Sequence, residues 1–491
     1  MTYLSLSRVM AGVTMALWVA AWCAAPGVAQ EAPGGEGRGH AEEALNMRLV
    51  GADDLQARSA YQPIIHQQGA RWIAYVGHHG GQARNPLTGV AEPNGTSILD
   101  VTDPHKPKYL HHIPGAPGGP ENGGAQMVRA CDGRNLPRGD PAKTYLLRTY
   151  GNLAHQVWDV TDPARPAMVT TVVTNLDGTH KNWWDCNSGI AYLVSDGRPS
   201  GWRTNRMTKV YDLSDPAKPV AIRDFGLVGQ EPGSTGPAPE GLHGLIALGN
   251  RLYVAYGTWK EGVLQIVDRE KLLKGNPAAA DRFAPTRENL LYPQVGRLDM
   301  TPSLGAHTAF PLVGVRVPGF QKFTQGAVRD FVLVVSESLQ NECREFAHFA
   351  SLMDITDETK PFPVSNFQVP EAGEKFCSRG GRFGTHSSNE SMTLIYYKKL
   401  VFIAYFNAGV RAVDIRDPYS PKEVGFYIPA TTEKTDERCV EDAGAKRCKV
   451  AIQTNNVEVD DRGFIYIVDR ANTGLHVLEL TGPARQIAGL R

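Results

Sequence analysis

The sequence predicts an all-β protein, a single seven-bladed β-propeller of four-stranded blades, from three observations. The 491 residues include 51 Gly and 33 Pro, which implies many turns and few long helices. Hydrophobic residues make up 42% of the chain, enough to fill a core. A short motif also recurs at intervals that suit one four-stranded blade with elaborated loops. An all-helical fold is therefore excluded, and one repeat architecture accounts for most of the length.

The charge balance narrows the classes of function. The chain has 51 Lys and Arg residues and 51 Asp and Glu residues, so its formal net charge is zero. Without a basic excess there is no global field that attracts nucleic acid or an anionic membrane. We therefore expect no nucleic-acid partner.

The first 29 residues predict a signal peptide. Arg8 is the only charged residue among them, and small residues precede the expected cleavage point. The apolar run from Val9 to Ala21 is shorter than the roughly 20 residues that span a bilayer, so an uncleaved membrane anchor is the lesser alternative. We expect a periplasmic or secreted protein without stable membrane insertion after cleavage. It would have a disordered leader over residues 30–46 and a propeller over residues 47–491.

Six cysteines remain after cleavage, and an even number in an oxidising compartment indicates disulfides. Pairing in chain order gives Cys131–Cys186, Cys343–Cys377 and Cys439–Cys448, one of the fifteen connectivities that six cysteines allow. The last of these would close a short charged loop. A cysteine metal site is the alternative, but no Cys-x-x-Cys occurs.

The repeated motif is an apolar strand that ends in Asp, followed by an apolar residue, Thr or Ser, Asp-Pro and a later Pro. The second Asp can bond the backbone two residues on, and Pro presets φ for the turn into the next strand. The strand-ending carboxylate recurs at Asp100, Asp159, Asp212, Asp268, Asp354, Asp414 and Glu479. Successive spacings are 59, 53, 56, 86, 60 and 65 residues, so seven copies with one long insertion predict seven blades.

The motif resembles a known repeat. The copies at 157–166, 210–219 and 412–421 are similar to the LVIVD repeat of extracytoplasmic bacterial β-propeller proteins. The resemblance covers about residues 48–485 and implies a propeller fold. It says little about function, because this fold hosts many unrelated activities.

Two segments could supply the outer strand that closes the last blade of the ring. Residues 47–51 look like the outer-strand segment 421–425, so the N-terminal strand could complete the last blade. Residues 485–489 fit the same place. The sequence leaves both open.

A Gly-x-His pattern opens the first strands of four consecutive predicted blades, with its histidine at His180, His243, His307 and His386. The first strand of each blade lines the central channel, so these side chains should converge. Neutral imidazole binds Fe, Cu, Zn or Mn, and we expect a metal ringed by these histidines. The alternatives are a metal-free polar pocket and histidines that only bond the backbone of the next blade. In other blades the corresponding positions offer His66, Gln126 and Asn456.

Further side chains are predicted near the histidines. The second strand of each blade returns to the same end and would bring Arg148, Tyr256 and Glu337 there; Arg148 and Tyr256 would position an anionic or phenolic substrate or donate a proton. Arg379 and Arg382 lie among glycines just before His386 and predict an anion-binding loop. The alternative is that such strand-end side chains only fill the funnel.

Two carboxylates close to the histidines in sequence are Glu240 and Glu390. We interpret both as ordinary surface or turn residues, with the orientation of a histidine ligand as the alternative. The sequence lacks a Gly-x-Ser-x-Gly elbow, a P-loop and a His-Glu-x-x-His motif.

Two hypotheses of function follow. The first is a metal-dependent enzyme, an oxidoreductase or a lyase or hydrolase, in which the metal activates water or oxygen or polarises a small organic substrate. The second is a non-catalytic propeller, a binding or scaffold module whose loops contact a protein partner, including the insertion from about Val315 to Cys343. The recurrence of Gly-x-His favours the enzyme, because a scaffold needs no polar axis.

Overall fold

The computed structural model of the protein describes residues 39–317, 327–371 and 375–490. The predicted signal peptide and residues 30–38 of the predicted leader lie outside these ranges. The described residues form antiparallel β-strands and a few short helices, as the sequence predicts.

The strands are short, and turns or loops join them in chain order. The first are β1 (Glu43–Leu45), β2 (Met47–Asp53), β3 (Ala60–Gln68), β4 (Arg71–His79), β5 (Gln82–Arg84), β6 (Ala91–Pro93), β7 (Gly95–Asp100), β8 (Lys108–Pro114), β9 (Gly124–Ala125), β10 (Val128–Asp132), β11 (Thr144–Tyr150) and β12 (Ala154–Asp159). The next are β13 (Ala167–Val173), β14 (Thr179–Asp185), β15 (Ile190–Ser195), β16 (Met207–Asp212), β17 (Val220–Phe225), β18 (Leu242–Leu248), β19 (Arg251–Tyr256), β20 (Val263–Asp268), β21 (Gln294–Asp299), β22 (Thr308–Arg316) and β23 (Val328–Val335). The last are β24 (Ala350–Asp354), β25 (Phe362–Phe367), β26 (Phe383–Ser388), β27 (Leu400–Phe406), β28 (Val410–Asp414), β29 (Lys422–Ile428), β30 (Glu437–Asp442), β31 (Ala445–Val450), β32 (Thr454–Val459), β33 (Phe464–Asp469) and β34 (Leu475–Leu480). The helices are α1 (Arg269–Lys274), α2 (Arg287–Leu291), α3 (Lys375–Ser378) and α4 (Gly482–Ala488), with 3-10 turns at Leu55–Ala57, Gly133–Asn135 and Arg198–Ser200.

Four-stranded antiparallel meanders are the repeated unit of the fold. Four separate sheets have the orders β10-β11-β12-β13, β14-β15-β16-β17, β18-β19-β20-β21 and β22-β23-β24-β25. A fifth has the order β3-β4-β7-β8, with β9 added beside β4. A nine-stranded sheet has the order β1-β29-β28-β27-β32-β33-β34-β2, with β26 beside β27. Two meanders make up this last sheet, and they are joined where Phe406 pairs with Thr454.

The first strands of these meanders lie around a common centre. β3 contacts β10, β10 contacts β14, and the series continues through β18, β22 and β26 to β32, which contacts β3 again. Apolar side chains pack between neighbouring sheets; for example, Tyr192 and Val210 share a core cluster with Val254 and Val267 of the next sheet. Burial of each such side chain stabilises the fold by about 1.5–3 kcal/mol. Polar side chains of the first strands, such as His180, His243 and His386, line a central cavity.

The recurring motif forms the turn that the sequence predicts. The Asp159 carboxylate accepts a hydrogen bond from the backbone N–H of Thr161 at 3.0 Å, and the Asp162 carboxylate accepts one from Ala164 at 3.1 Å. The same bond joins Asp212 to Ser214 at 2.8 Å. Each bond holds the chain in the reversal from the third strand of a meander to the fourth.

The N-terminal segment completes two meanders. β2 runs antiparallel to β34, with Met47 opposite Leu480, so this strand and not residues 485–489, which lie in or next to α4, closes the last meander. The prediction of a disordered leader through residue 46 is wrong for Glu43–Leu45. These residues pair with β29 as an added edge strand.

The three predicted disulfides are present. Cys131 bonds Cys186, Cys343 bonds Cys377 and Cys439 bonds Cys448, with Cα–Cα separations of 5.6, 5.4 and 4.0 Å. They are consistent with an oxidising, extracytoplasmic compartment. Within the described ranges, no helix has the length and apolar character needed to cross a bilayer.

Candidate functional site

The four predicted histidines meet at one end of the ring of first strands. His180 lies in β14, His243 in β18 and His386 in β26, while His307 immediately precedes β22. The ring centroids of neighbours in this series are 4.4, 3.6 and 4.3 Å apart. All four side chains are buried. The sequence prediction of convergence is confirmed, and we call these residues the histidine site.

Backbone carbonyls set the orientation of two imidazoles. Nδ1 of His243 lies 2.7 Å from the carbonyl oxygen of His307, and Nδ1 of His386 lies 2.5 Å from that of Asn455. A carbonyl only accepts, so each Nδ1 carries the proton and each Nε2 keeps its lone pair. Nδ1 of His307 contacts the Thr308 hydroxyl at 2.9 Å, and its buried Nε2 has no hydrogen-bond partner in the described structure. This is the arrangement expected of metal ligands, whose other ring nitrogen is held by a carbonyl or carboxylate.

Two Nε2 atoms of the site are in contact, and a third lies near a carboxylate. Nε2 of His180 is 2.7 Å from Nε2 of His243 and 2.8 Å from the Tyr61 hydroxyl. Glu337 Oε1 lies 3.6 Å from Nε2 of His386. The ligand atoms of His243, His307 and Glu337 all lie within 4.8 Å of one another, so this buried group could hold a metal ion.

Burial keeps the imidazoles neutral. It lowers the pKa of His180, His243, His307 and His386 well below the ordinary value, and neighbouring positive charges lower it further. Neutral imidazole is the form that binds metals. Burial raises the pKa of Glu337, and the nearby Arg382 guanidinium opposes that rise.

A cavity of about 360 Å³ opens above the histidine site. Its lining comprises Tyr61, His79, Glu121, His180, Asn205, Arg206, His243, Thr258, Trp259, Glu337, Leu339, Arg382, His386 and Arg470. Arg382 donates to Glu337 at 3.0 Å and Arg470 to Glu121 at 2.7 Å. Although burial opposes it, neighbouring positive groups lower the pKa of Glu121 to about 2, so this carboxylate is ionised. The cavity is thus polar, charged and large enough for a small ligand.

Of the four predicted catalytic residues, only Arg382 lines this cavity. Arg148 donates to the backbone carbonyls of Ile113 and Pro114 at 3.0 and 2.8 Å, so it joins two neighbouring sheets. The Tyr256 hydroxyl donates to Gln265 at 3.1 Å within the core between sheets.

Arg379 is also directed elsewhere. It pairs with Glu43 at 2.5 Å, and its guanidinium lies over the Phe376 ring at 4.8 Å. The assignment of Arg148, Tyr256 and Arg379 to the site therefore requires correction: none of them lines the cavity, and each makes structural contacts elsewhere.

The carboxylates also differ from the sequence interpretation. Glu240 is a surface residue, 3.5 Å from Lys260, as expected. Glu390 is not a surface residue, because it is buried and pairs with Lys181 and Arg129. Glu337 is the carboxylate that reaches the histidines. His66 lies apart from the site and pairs with Asp132 at 3.0 Å.

A second polar group lies on or next to the first strands, and we call Arg129, Lys181, Glu390 and Glu458 the buried ion cluster. Arg129, Lys181 and Glu458 lie in β10, β14 and β32, and Glu390 follows β26. Lys181 Nζ lies 2.6 Å from Glu390, which also pairs with Arg129. Glu458 accepts hydrogen bonds from the backbone N–H groups of Glu390 and Ser391 at 2.9 and 3.0 Å. Burial, and then the charge of Glu390, raises the pKa of Glu458 to about 7. For three of the four residues, a charged side chain inside a strand is the available sequence signal, namely Arg129, Lys181 and Glu458.

The sequence interpretation missed most of the cavity wall. Tyr61, Glu121, Arg206 and Arg470 line it, yet none of them falls in a recurring motif. His78 and His79 are adjacent in the sequence; His79 lines the cavity, whereas His78 bonds the Ser97 hydroxyl at 2.8 Å.

Comparison with known proteins informs the fold alone. No protein-family profile matches the sequence, and no curated protein matches it. Among solved structures, the chain is similar to Raptor from Chaetomium thermophilum, with a TM-score of 0.52 and 11% sequence identity. The match covers 90% of this chain and 30% of the Raptor chain. At this sequence identity the similarity supports a shared β architecture and gives no information about activity.

Proposed function

We propose that the chain is a seven-bladed, LVIVD-type β-propeller of the periplasm or extracellular space, and that it is a metal-dependent enzyme acting on a small organic substrate. The observation that carries the proposal is the convergence of four buried, neutral imidazoles, with the ligand atoms of His243, His307 and Glu337 within 4.8 Å of one another. The reaction is an oxidation or reduction, an elimination or a hydrolysis.

The proposed β-propeller fold is supported by the four-stranded meanders and by how they are arranged. Consecutive four-stranded meanders whose first strands contact one another in a closed series are the pattern of blades around a central channel. Closure of the last meander by β2 fits this reading, since N- and C-terminal strands then share one blade.

The donor set suits Fe, Cu, Zn or Mn. Two nitrogens bound to one ion at about 2.1 Å lie about 3.0–3.4 Å apart at octahedral or tetrahedral angles. The 2.7 Å between Nε2 of His180 and Nε2 of His243 is a hydrogen-bond length, so these two rings would have to move apart by at least about 0.3 Å to bind one ion together. When bound, such a metal supplies Lewis acidity or redox chemistry. Glu337 adds a carboxylate that Arg382 holds in place.

Other groups would handle the substrate. The Tyr61 hydroxyl, 2.8 Å from Nε2 of His180, can orient that ring, and because burial raises its pKa well above the ordinary value the hydroxyl stays protonated. The cavity above the histidines restricts the site to small molecules, and its arginines favour an anionic group.

Elemental analysis tests the metal. We would purify the mature chain from an oxidising compartment and compare it with a His243→Ala/His307→Ala variant, both verified as folded by circular dichroism. We expect about one transition-metal ion per chain in the wild type and less than about a tenth of that in the variant. The matched control is His155→Ala, because His155 is a buried histidine outside the site that bonds the Val194 carbonyl.

Two results would contradict the proposal. One is a metal-free wild type that also fails to take up Fe²⁺, Cu²⁺, Zn²⁺ or Mn²⁺ on reconstitution. The other is equal metal content in the double variant. Either result would leave a metal-free pocket or a binding module as the function.

A further inference from the structure

The cavity above the histidine site contains one more positive than negative group. Arg206, Arg382 and Arg470 face two carboxylates, Glu121 and Glu337, across it. Arg382 pairs with Glu337, and Arg470 pairs with Glu121. In the part of the chain that the structure describes, no carboxylate lies within ion-pair distance of Arg206, and its guanidinium donates no hydrogen bond. The excess charge therefore lies at Arg206.

Backbone hydrogen bonds fix the position of Arg206, and its guanidinium takes no part in them. Its N–H donates to the Thr204 hydroxyl at 3.2 Å, and its carbonyl accepts from the N–H of Leu242 at 3.0 Å. Leu242 directly precedes His243, so these bonds fix Arg206 beside the histidine site. Its positive charge lowers the pKa of both His180 and His243, as expected of a near neighbour.

A half-buried guanidinium without a counterion loses hydration free energy, and an anion bound to it would restore part of that loss. Burial lowers the pKa of Arg206, which reflects the loss of water around the charge. A planar carboxylate is the natural partner, because it can accept two parallel N–H bonds from a guanidinium. Arginine is preferred where such two-point recognition is needed.

The rest of the wall suits an apolar body. Trp259, which is 37% exposed, and Leu339 line the same cavity. The Lys260 ammonium lies 5.0 Å from the Trp259 ring centroid. The volume of about 360 Å³ is at the low end for a ligand pocket and suits a small ligand.

From these observations we infer that the substrate of this site is a small organic carboxylate, whose carboxylate binds Arg206 and whose apolar body lies along Trp259 and Leu339. This inference deepens the proposed function, since it names the substrate class of the same cavity. Arg206 acts as the specificity residue. Arg382 and Arg470 hold the two cavity glutamates and leave Arg206 available to the ligand.

Calorimetric titration tests the assignment with named probes. Acetate, butyrate and benzoate would be titrated into the wild type, with acetamide, butyramide and benzamide as neutral counterparts of the same shape. Each titration is run on the protein as purified and after treatment with EDTA. We expect at least one carboxylate to bind, its amide to bind at least 10-fold more weakly, and benzoate to bind more tightly than acetate.

The variants are Arg206→Met, Arg206→Lys and Arg165→Met. Arg206→Met should weaken carboxylate binding by at least 10-fold, and Arg206→Lys, which keeps the charge without the two-point geometry, should have an intermediate effect. Arg165 is 85% exposed and pairs with Asp162 in an outer turn, so Arg165→Met removes the same charge and should change nothing. Circular dichroism would confirm that each variant is folded, and Arg206→Lys serves as the test if Arg206→Met does not fold.

The outcomes separate this inference from the metal proposal. Carboxylate binding that depends on Arg206 in a protein that binds no metal supports the inference while the metal proposal fails. A metal-loaded protein that binds none of the carboxylates, or binds them equally after Arg206 is replaced, overturns the inference alone. Tighter binding of inorganic phosphate than of every carboxylate would also overturn it, in favour of a phosphate ester.

Discussion

The histidine site and the buried ion cluster both lie on or next to first strands of the meanders, but they differ in how their polar atoms are satisfied. In the cluster, Glu390 pairs with both Lys181 and Arg129, and Glu458 accepts two backbone hydrogen bonds. At the histidine site, Nε2 of His307 has no partner, and the nearby Arg206 has no counterion in the described structure. A buried polar atom without a partner costs about 1–3 kcal/mol. The comparison suggests that the cluster serves the fold, whereas the histidine site awaits a ligand.

The largest effect on stability should come from the ion cluster. Glu390→Gln leaves Lys181 and Arg129 without their shared anion in a setting where Lys181 and Glu390 are each only 4% exposed. We expect a loss of about 3–5 kcal/mol, measured as a shift of the urea midpoint. The matched control is Glu240→Gln on the surface, which should cost less than about 1 kcal/mol. A Glu390→Gln protein as stable as the control would show that the cluster is not structural.

The next effect is a pH dependence that belongs to Glu458. Its pKa is raised from 4.5 to about 7 by burial and by Glu390, so the folded protein binds this proton more tightly than the unfolded chain. The stabilisation is complete below about pH 4.5 and is lost as the pH rises through about 7, a difference of about 3 kcal/mol.

Glu458→Gln, a neutral isostere, isolates this contribution. The difference in urea midpoint between wild type and variant should change between pH 5 and pH 8. The wild type should become less stable relative to the variant at the higher pH. The subtraction removes the contribution of the buried histidines. A difference that is constant with pH would mean that Glu458 is ionised throughout, balanced by Arg129 and Lys181.

A smaller effect is expected where a glycine makes room for the cluster. A Cβ at Gly244 would lie 2.7 Å from Cδ of Lys181. Gly244→Ala should therefore displace Lys181 and cost about 1–3 kcal/mol in the urea midpoint. Gly119→Ala, where a Cβ meets nothing within 4 Å, should stay within about 1 kcal/mol of the wild type. Equal stability of the two variants would show that Lys181 moves aside freely.

The smallest effect on stability should come from the histidine site. His307→Gln removes an Nε2 that bonds nothing, so the free energy of unfolding in EDTA should stay within about 1 kcal/mol of the wild type. The same variant should lose stability relative to the wild type when the metal found by elemental analysis is added back. A large loss in EDTA would instead identify His307 as a structural residue and weaken the contrast between the two regions.

Much of the fold was predictable because it rests on local chemistry. The Asp-Pro turns and the strand alternation fix each meander within about sixty residues of chain, and chain-order disulfides join segments that these turns bring together. The histidines converged because Gly-x-His opens successive first strands. The leader was mispredicted at Glu43–Leu45, since an edge strand depends on the exposed edge of β29 and not on its own composition.

The structure selected the cysteine pairing from the fifteen connectivities that the sequence allows. The sequence by itself determined the repeat and the four imidazoles, which recur at positions set by strands and turns. Only the tertiary structure decided which charges reach them. Arg206, Arg470 and Glu121 lie outside the strands, in segments whose direction depends on contacts with neighbouring sheets. Arg148 and Glu390 were misplaced for the same reason: Arg148 does not reach the cavity, and Glu390 is buried instead of exposed. Burial and pairing depend on distances through space, which the sequence does not give. Strand periodicity places a backbone, but it does not tell which side chains will find partners.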